Sequence, residues 1–362
     1  MYSFLTIQDD DYDCDAPIYL TPQTFLVIKN LRIIPRSTFP LNALGVIIAQ
    51  GAQFSGVVSP GGTPTSLAGV YAGIDCMNIP GNGPSGIYVS NSSYFIIDGI
   101  TINNCGGGSI PTLSGSTMLG GVTLVGLNNL AIKITAGVPT AGMPYQSTLF
   151  GNSTQIANSV IENSNGPGLL VYLGTRAILH KTTVTNSGTS GVYLLSSSRS
   201  IITSSVITNN ANEGIVSDWG SMLAVVAGNT ISGNSVGVRL ANSNRNASSF
   251  GYSTAISWNN ILIRNKITNN VNSIILSSNY TGGLYGSLIN QNTLSGNSYG
   301  VSIAGVPNGV QHSTYYTNAD SDGLTDSFLS SAPGITSFIA NGGWKNGYVD
   351  PANRFDVTMY LH

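Results

Sequence analysis

Residues 161–171 read IENSNGPGLLV, and the phrase returns as VTNSGTSGVYL at 184–194, ITNNANEGIVS at 207–217 and ISGNSVGVRLA at 231–241. Further copies begin at Ile267 and Leu294, so the first residues are separated by 23, 23, 24, 36 and 27 positions. Apolar residues alternate with period two, and Gly or Asn interrupts each run, which predicts short strands, three per repeat. A single repeat cannot bury its own apolar residues, so successive repeats must stack about 4.8 Å apart.

Stacking converts equivalent repeat positions into columns that run along the stack. The predicted inward aliphatic column is Ile161, Val184, Ile207, Ile231, Ile267 and Leu294. A predicted polar column at a turn is Ser164, Ser187, Asn210, Asn234, Asn270 and Asn297. We expect the amides of this second column to form hydrogen bonds from coil to coil. The spacing of 36 predicts a loop of about a dozen extra residues around 244–256.

The sequence resembles a known superfamily in two places, GIYVSNSSYFIIDGITINN at 86–104 and SVITNNANEGIVSDWGSMLAVVAGNTISGNSVGVRL at 205–240. Both are similar to the pectin-lyase-like superfamily, closest to its carbohydrate-associated repeat branch with phage tailspikes and secreted polysaccharide-active proteins. The resemblance implies an all-β fold, a right-handed single-stranded parallel β-helix with three-strand coils. It covers roughly 45–305, which leaves 1–44 as an N-terminal cap and 306–362 as a C-terminal cap or oligomerisation element. The superfamily includes lyases, hydrolases, epimerases and adhesins, so the fold does not select an activity.

Charge and hydropathy restrict the partners. Only 8% of residues are charged and the formal net charge is −2, which provides no general attraction to nucleic acid or anionic membrane. No apolar stretch is long enough for membrane insertion. Five Asp residues lie within positions 9–15, where a secretory signal would need an apolar core. Three cysteines are too few for a disulfide framework, and buried free thiols are expected rather than a Cys76–Cys105 bridge, although no sequence feature decides between them.

Acidic residues are scarce where an enzyme on this scaffold would need them. Between residues 99 and 317 the acids are Glu162, Glu213 and Asp218. Glu213 and Asp218 are five residues apart on one predicted strand, roughly 16 Å, which is too far for a glycosidase pair. They are therefore only weak catalytic candidates. A hydrolase, or a lyase with a basic residue and bound metal, stays open as an alternative.

Aromatic and basic residues give a stronger indication of ligand binding. Alternation sends Tyr172, Tyr193, Asp218 and Arg239 outward, with Trp219 beside them, so that one face could bind sugar rings. An ordinary outer sheet face is the alternative, because Tyr suits strands.

A second basic column is predicted from spacing. Arg176 and Arg199 are 23 residues apart and should be stacked, with His180 and Lys181 on the same coil as Arg176. An acidic polysaccharide would bridge two such charges, and solvated surface is the alternative.

The tail contains a possible calcium loop. Asn318, Asp320, Asp322, the Leu324 carbonyl and Asp326 alternate around Gly323, which resembles short calcium-binding loops, but position twelve is Leu329 instead of an acid. The predicted cofactor is a structural Ca²⁺ ion, and the alternative is a solvated acidic turn.

The sequence therefore favours a non-catalytic β-helical structural or adhesive protein, extracellular or on a virion surface, that recognises a polysaccharide or surface glycan. The first alternative is a secreted or tailspike polysaccharide lyase or glycoside hydrolase. A further alternative is a self-assembling filament subunit. A homo-oligomer, either a trimer or a filament, is the expected assembly.

Overall fold

The computed structural model shows stacked coils, each built from one strand in each of three parallel sheets. It describes residues 2–8, 10–60, 72–112, 115–126, 153–172, 175–197, 199–242, 257–258, 260–278, 284–285, 287–305, 310–311, 314–316 and 319–320. Every element in these ranges is a strand, and no helix within them could cross a membrane. The predicted all-β parallel coil architecture is therefore confirmed.

The strands are numbered in chain order and grouped by sheet. The first sheet contains β1 (Ser3–Gln8), β4 (Thr24–Lys29), β7 (Gln53–Val58), β10 (Ser93–Asp98), β15 (Ser153–Ala157), β18 (Arg176–His180), β21 (Ile201–Thr203), β24 (Val225–Ala227), β28 (Ile261–Ile263), β32 (Leu288–Asn290) and β36 (Thr314–Tyr316). The second sheet contains β2 (Tyr12–Cys14), β5 (Arg32–Pro35), β8 (Gly73–Asp75), β11 (Thr101–Asn103), β16 (Val160–Glu162), β19 (Thr183–Thr185), β22 (Val206–Thr208), β25 (Thr230–Ser232), β29 (Lys266–Thr268), β33 (Thr293–Ser295) and β37 (Ala319–Asp320). The third sheet contains β3 (Ile18–Leu20), β6 (Gly45–Gln50), β9 (Ser85–Ser90), β14 (Val122–Val125), β17 (Leu169–Tyr172), β20 (Val192–Leu195), β23 (Glu213–Asp218), β26 (Val236–Asn242), β30 (Asn272–Ser278) and β34 (Tyr299–Gly305).

Two smaller sheets lie outside the coils. The antiparallel hairpin is formed by β12 (Ser109–Thr112) and β13 (Gly115–Met118). The short parallel sheet is formed by β27 (Ser257–Trp258), β31 (Leu284–Tyr285) and β35 (Val310–Gln311).

The predicted columns are confirmed in the second sheet and at the turn that follows it. Each residue of the inward aliphatic column pairs with the next, from Ile161 with Val184 to Ile267 with Leu294. All six side chains are buried in one continuous core. Ile231 pairs with Ile267 across the spacing of 36, so the extra residues leave the coil register intact. The predicted loop around 244–256 lies outside the described residues.

Asparagine amides connect the coils at two turns. In the predicted ladder, Asn234 accepts hydrogen bonds from the backbone N–H and side-chain amide of Asn210 at 3.0 Å, and donates to Asn270 Oδ1 at 3.1 Å. A second ladder, which sequence reasoning missed, runs through Asn229, Asn265 and Asn292. These residues precede the aliphatic column by two positions in each repeat, so the same periodicity could have revealed them.

Glycines follow the first ladder because a side chain has no space there. A Cβ atom at Gly214 would lie 2.7 Å from both the Gly237 carbonyl oxygen and Ile231 Cγ2. Close approach between coils thus explains the Gly at the start of several strands of the third sheet, such as Gly191, Gly214 and Gly237.

The predicted cap boundary at residue 45 is not a change of architecture. The strands β1 to β5 lie before it and already pair in all three sheets, starting with Ser3 opposite Thr24. At the other end, coil pairing continues past residue 306 to β37. Residues 321–362 lie outside the described part of the chain.

The expectation of free thiols is wrong for two cysteines. Cys76 and Cys105 form a disulfide with Cα atoms 5.0 Å apart, whereas Cys14 is free and buried. The bridge joins the residues that follow β8 and β11, which are adjacent strands, so it connects consecutive coils. The two cysteines are 29 residues apart in the sequence. This separation indicates a contact only when it is recognised as the length of one coil.

Candidate functional site

The outer face of the third sheet brings together the predicted ligand-binding residues in the predicted register. Tyr193 pairs with Leu170 and Val216, and Val216 pairs with Arg239, so these residues form one column. The next column contains Tyr172 and Asp218, separated by the strand that carries Leu195. The residues that alternate with them along the same strands point into the core, so both columns face away from the core.

The residues point outward as predicted, but part of this face is covered by other side chains. Tyr172 has 0% of its surface exposed and Asp218 has 4%. Tyr172 belongs to a second apolar cluster outside the coils, to which the hairpin region contributes Ile110 and Leu119. Tyr193 and Trp219 are partly buried against the same cluster. Alternation gives the direction of a side chain and carries no information on what packs over it.

A polar cluster lies beside these aromatic residues, centred on Glu213. Ser190 Oγ donates to Glu213 Oε2 at 2.8 Å, and Arg239 Nη1 donates to Glu213 Oε1 at 3.3 Å. Arg239 Nε also donates to Ser277 Oγ at 3.3 Å. Burial raises the pKa of Tyr193, and the nearby Asp218 and Glu213 carboxylates raise that pKa further. The Tyr193 hydroxyl therefore stays protonated at neutral pH.

Glu213 and Asp218 do not form a carboxylate pair. They are the first and last residues of β23, as the sequence predicted. Asp218 accepts a hydrogen bond from the Trp219 N–H at 2.7 Å, and Glu213 is bound to Ser190 and Arg239. The arrangement lacks the paired carboxylates on which glycosidase chemistry depends.

Glu162 lies elsewhere, at the end of β16 in the second sheet. Its neighbour across the coils is Asn103, which in turn pairs with Asp75. Burial raises the pKa of Glu162, and the Asp75 carboxylate adds to the effect. Asp75 accepts hydrogen bonds from the Met77 N–H and the Asn104 amide, and these bonds stabilise the adjoining turn.

An exposed aromatic pair, missed from the sequence, lies on β7 and β10, the third and fourth strands of the first sheet. The rings of Phe54 and Tyr94 are stacked with centroids 4.9 Å apart and planes inclined by 10°. Phe54 is 45% exposed and Tyr94 is 58% exposed. We call these two residues the aromatic platform. Aligning QFSGVV at 53–58 with SYFIID at 93–98 would have placed the two rings opposite each other. Both segments lie outside the part of the chain where the repeat is regular.

The platform occupies a corner where the backbone is left-handed. Phe54 has φ 50° and Tyr94 has φ 55°, and Gln23, Arg199 and Leu223 at the same corner have φ values of 60°, 56° and 56°. Bulky residues rarely adopt this conformation, and strained positions of this kind concentrate at functional sites. The corner directs the side chain away from the core, which accounts for the exposure of both rings.

The register places Arg176 and Arg199 at equivalent positions of adjacent coils, as the predicted column requires, at the same corner. Ile178 pairs with Ile201, so the offset of 23 places Arg176 opposite Arg199. Arg176 also pairs with Ser153 on the preceding coil. His180 contacts Thr203 Oγ1 at 3.0 Å, and Lys181 is exposed beside it.

The calcium prediction is not tested. Ala319–Asp320 forms β37, in which Asp320 pairs with Leu294. The remaining ligands, Asn318, Asp322, Leu324 and Asp326, lie outside the described residues. Within the described ranges, no three His, Cys, Asp or Glu side chains converge on a position that could hold a metal ion.

Comparison with known proteins agrees on the fold. Residues 148–310 match the family described as "Right handed beta helix region". The A-module of mannuronan C-5 epimerase AlgE4 from Azotobacter vinelandii superimposes with a TM-score of 0.52 and 13% identity, over 91% of this chain and 89% of that one. The Dettilon tailspike protein gp208 gives a TM-score of 0.51 and 15% identity, over 89% of this chain and 61% of that one. No curated protein sequence matches.

Proposed function

We propose that this right-handed parallel β-helix binds polysaccharide along the corner that carries the aromatic platform. The observation that carries the proposal is the stacked and largely exposed pair Phe54 and Tyr94. Sugar rings pack against aromatic side chains, and the two stacked rings on consecutive coils leave about half of their surface exposed to solvent. The two structural neighbours, an epimerase of mannuronan and a tailspike, use the same scaffold, which is consistent with a glycan ligand.

The proposed setting is extracellular or on a virion surface. The Cys76–Cys105 disulfide supports an oxidising compartment, because such bonds are rare in reducing cytosol. Oligomerisation, either as a trimer or as a filament, remains part of the proposal.

The test measures retention of the purified protein on a panel of neutral and acidic polysaccharides. We expect the wild type to be retained and Phe54→Ala/Tyr94→Ala to bind about tenfold more weakly or worse, a loss near 1.4 kcal/mol. Tyr19→Ala is the matched control, because Tyr19 is 67% exposed on β3 and lies outside the platform. Equal retention of the platform variant and the wild type would exclude this site.

The Glu213 cluster supports a second candidate, cleavage or isomerisation of the bound polymer. Protonated Tyr193 could donate a hydrogen bond or proton, and Arg239 could bind a substrate carboxylate. The same assay follows release of reducing or unsaturated ends. Release that Glu213→Gln abolishes, and that Glu162→Gln leaves unchanged, would establish catalysis at this cluster. Retention without release would support the non-catalytic adhesive function.

A further inference from the structure

The aromatic platform belongs to a longer column on the first sheet. Phe95 pairs with Ser55 on one side and Thr154 on the other, so Tyr94 lies opposite Phe54 and Ser153. Ser153 pairs with Arg176, and Arg176 lies opposite Arg199. Phe54, Tyr94, Ser153, Arg176 and Arg199 therefore occupy five consecutive coils, spanning about 19 Å at the usual strand spacing.

The two arginines of this column differ from the other arginines in the described part of the chain. Arg32, Arg36 and Arg239 each pair with a carboxylate, and Arg264 donates to Gln291. None of the ion pairs among the described residues includes Arg176 or Arg199. In addition, Arg176 Nε is buried and has no hydrogen-bond partner there.

Two unneutralised guanidinium groups on adjacent coils repel each other, and an anion between them removes that repulsion. Guanidinium presents several N–H donors in a plane that matches a carboxylate or sulfate group. The column thus combines a stacking surface at one end with an anion-binding surface at the other.

We propose that the ligand is an anionic polysaccharide that lies along the solenoid axis, with sugar rings on Phe54 and Tyr94 and acidic groups on Arg176 and Arg199. This inference rests on the proposed function, because it assumes that the platform binds glycan. It adds the chemical class of the ligand and its direction on the protein.

The test compares two polymers that differ only in charge, polygalacturonate and its fully methyl-esterified form, by titration calorimetry. We expect the wild type to bind the acid about tenfold more tightly than the ester. Raising the NaCl concentration should weaken binding of the acid and leave binding of the ester nearly unchanged. Arg176→Gln/Arg199→Gln should remove the preference for the acid and retain binding of the ester.

Arg264→Gln is the control, because Arg264 is an exposed arginine on a later coil outside the column, and it should keep the preference. Equal wild-type affinity for the two polymers would overturn the inference and leave the proposed function intact. The single variant Arg199→Gln removes the same charge as Arg264→Gln, and an equal loss of preference in these two variants would also overturn the inference, because net charge would then explain the effect. If neither polymer binds while other polysaccharides are retained, the inference fails. If no polysaccharide is retained, the proposed function itself fails.

Discussion

Aromatic side chains at left-handed corners impose a cost on the folded state. A non-glycine residue held in a sparsely populated backbone region costs about 1–3 kcal/mol. Asn tolerates this conformation better than Tyr, and it occupies many of the other left-handed positions, such as Asn163 and Asn186. Phe54 and Tyr94 therefore occupy positions where a different residue would be more stable.

We expect Tyr94→Asn to leave the free energy of unfolding unchanged or raised, because relief of strain offsets the lost ring stacking of about 0.5–1.5 kcal/mol. The urea midpoint measures stability, and retention on polysaccharide should fall in the same variant. Tyr19→Asn is the control, since Tyr19 is exposed on a regular strand where Asn is unfavourable. A decrease in midpoint for Tyr94→Asn as large as that for Tyr19→Asn would contradict the strain argument.

Side-chain direction could be predicted from the sequence, and side-chain exposure could not. The alternation that sends Tyr172 outward is correct, yet the residue is buried beneath a cluster that includes Ile110 and Leu119. Those two residues come from an excursion of the chain some 50–60 positions earlier, which no local pattern connects to Tyr172. Phe54 and Tyr94 were missed because the repeat is irregular where they lie.

The asparagine ladders connect strands of neighbouring coils through buried hydrogen bonds. Asn234→Ala would leave the backbone N–H and the side-chain amide of Asn210 without their acceptor, whereas Asn270 Oδ1 would keep the backbone N–H of residue 234. Since each unsatisfied buried group costs about 1–3 kcal/mol, we expect a loss of about 2–4 kcal/mol in the free energy of unfolding. Urea denaturation followed by far-UV circular dichroism provides the measurement.

The exposed Asn186 provides the matched control for that loss. Its amide donates to Asn163 Oδ1 at 3.2 Å on the outside of the coil, where water can replace the bond. Asn186→Gly should therefore cost less than about 1 kcal/mol, because Gly also adopts the left-handed backbone at this position. Equal losses for the two variants would show that the ladder's burial contributes little.

The first ladder was predictable because its Asn recurs in the repeated phrase that begins at Ile207, whereas the Asn residues of the second ladder precede that phrase in each repeat.

At the scale of the whole molecule, stability is distributed along the axis, because each coil contacts only its neighbours. The Cys76–Cys105 bridge constrains one pair of coils near the platform. A bridge that closes a loop of this length contributes about 3–4 kcal/mol. We expect a reducing agent, or Cys76→Ser/Cys105→Ser, to lower the urea midpoint correspondingly. Cys14→Ser should retain the response to the reducing agent, because Cys14 is not in the bridge. A wild-type midpoint that reductant does not change would contradict the bridge's role.

The stacked three-strand coils followed from period and alternation, because stacking leaves few other ways to bury strands of this length, and the right-handed parallel β-helix followed from the family resemblance. The extent of the coils at the two ends of the solenoid could not be predicted in this way. Residues 1–44 have a weak repeat, yet Leu5 and Ile7 pair with the core residues Leu26 and Ile28. Stacking on a regular coil can order a segment whose own sequence shows little periodicity.

Parallel registration makes axial distance independent of the length of chain between two side chains. Tyr94 and Arg176 are separated by two coils although the chain between them makes a long excursion, and Arg176 and Arg199 by one coil. Insertions at the turns alter the outline of the protein and leave these intervals fixed, whereas gain or loss of a coil changes them by one full step. The solenoid therefore fixes the axial separation of side chains in one column at multiples of about 4.8 Å. A polymer that contacts both ends of the column must therefore space its rings and charges at multiples of this distance. Changes in loop length at the turns do not alter that requirement.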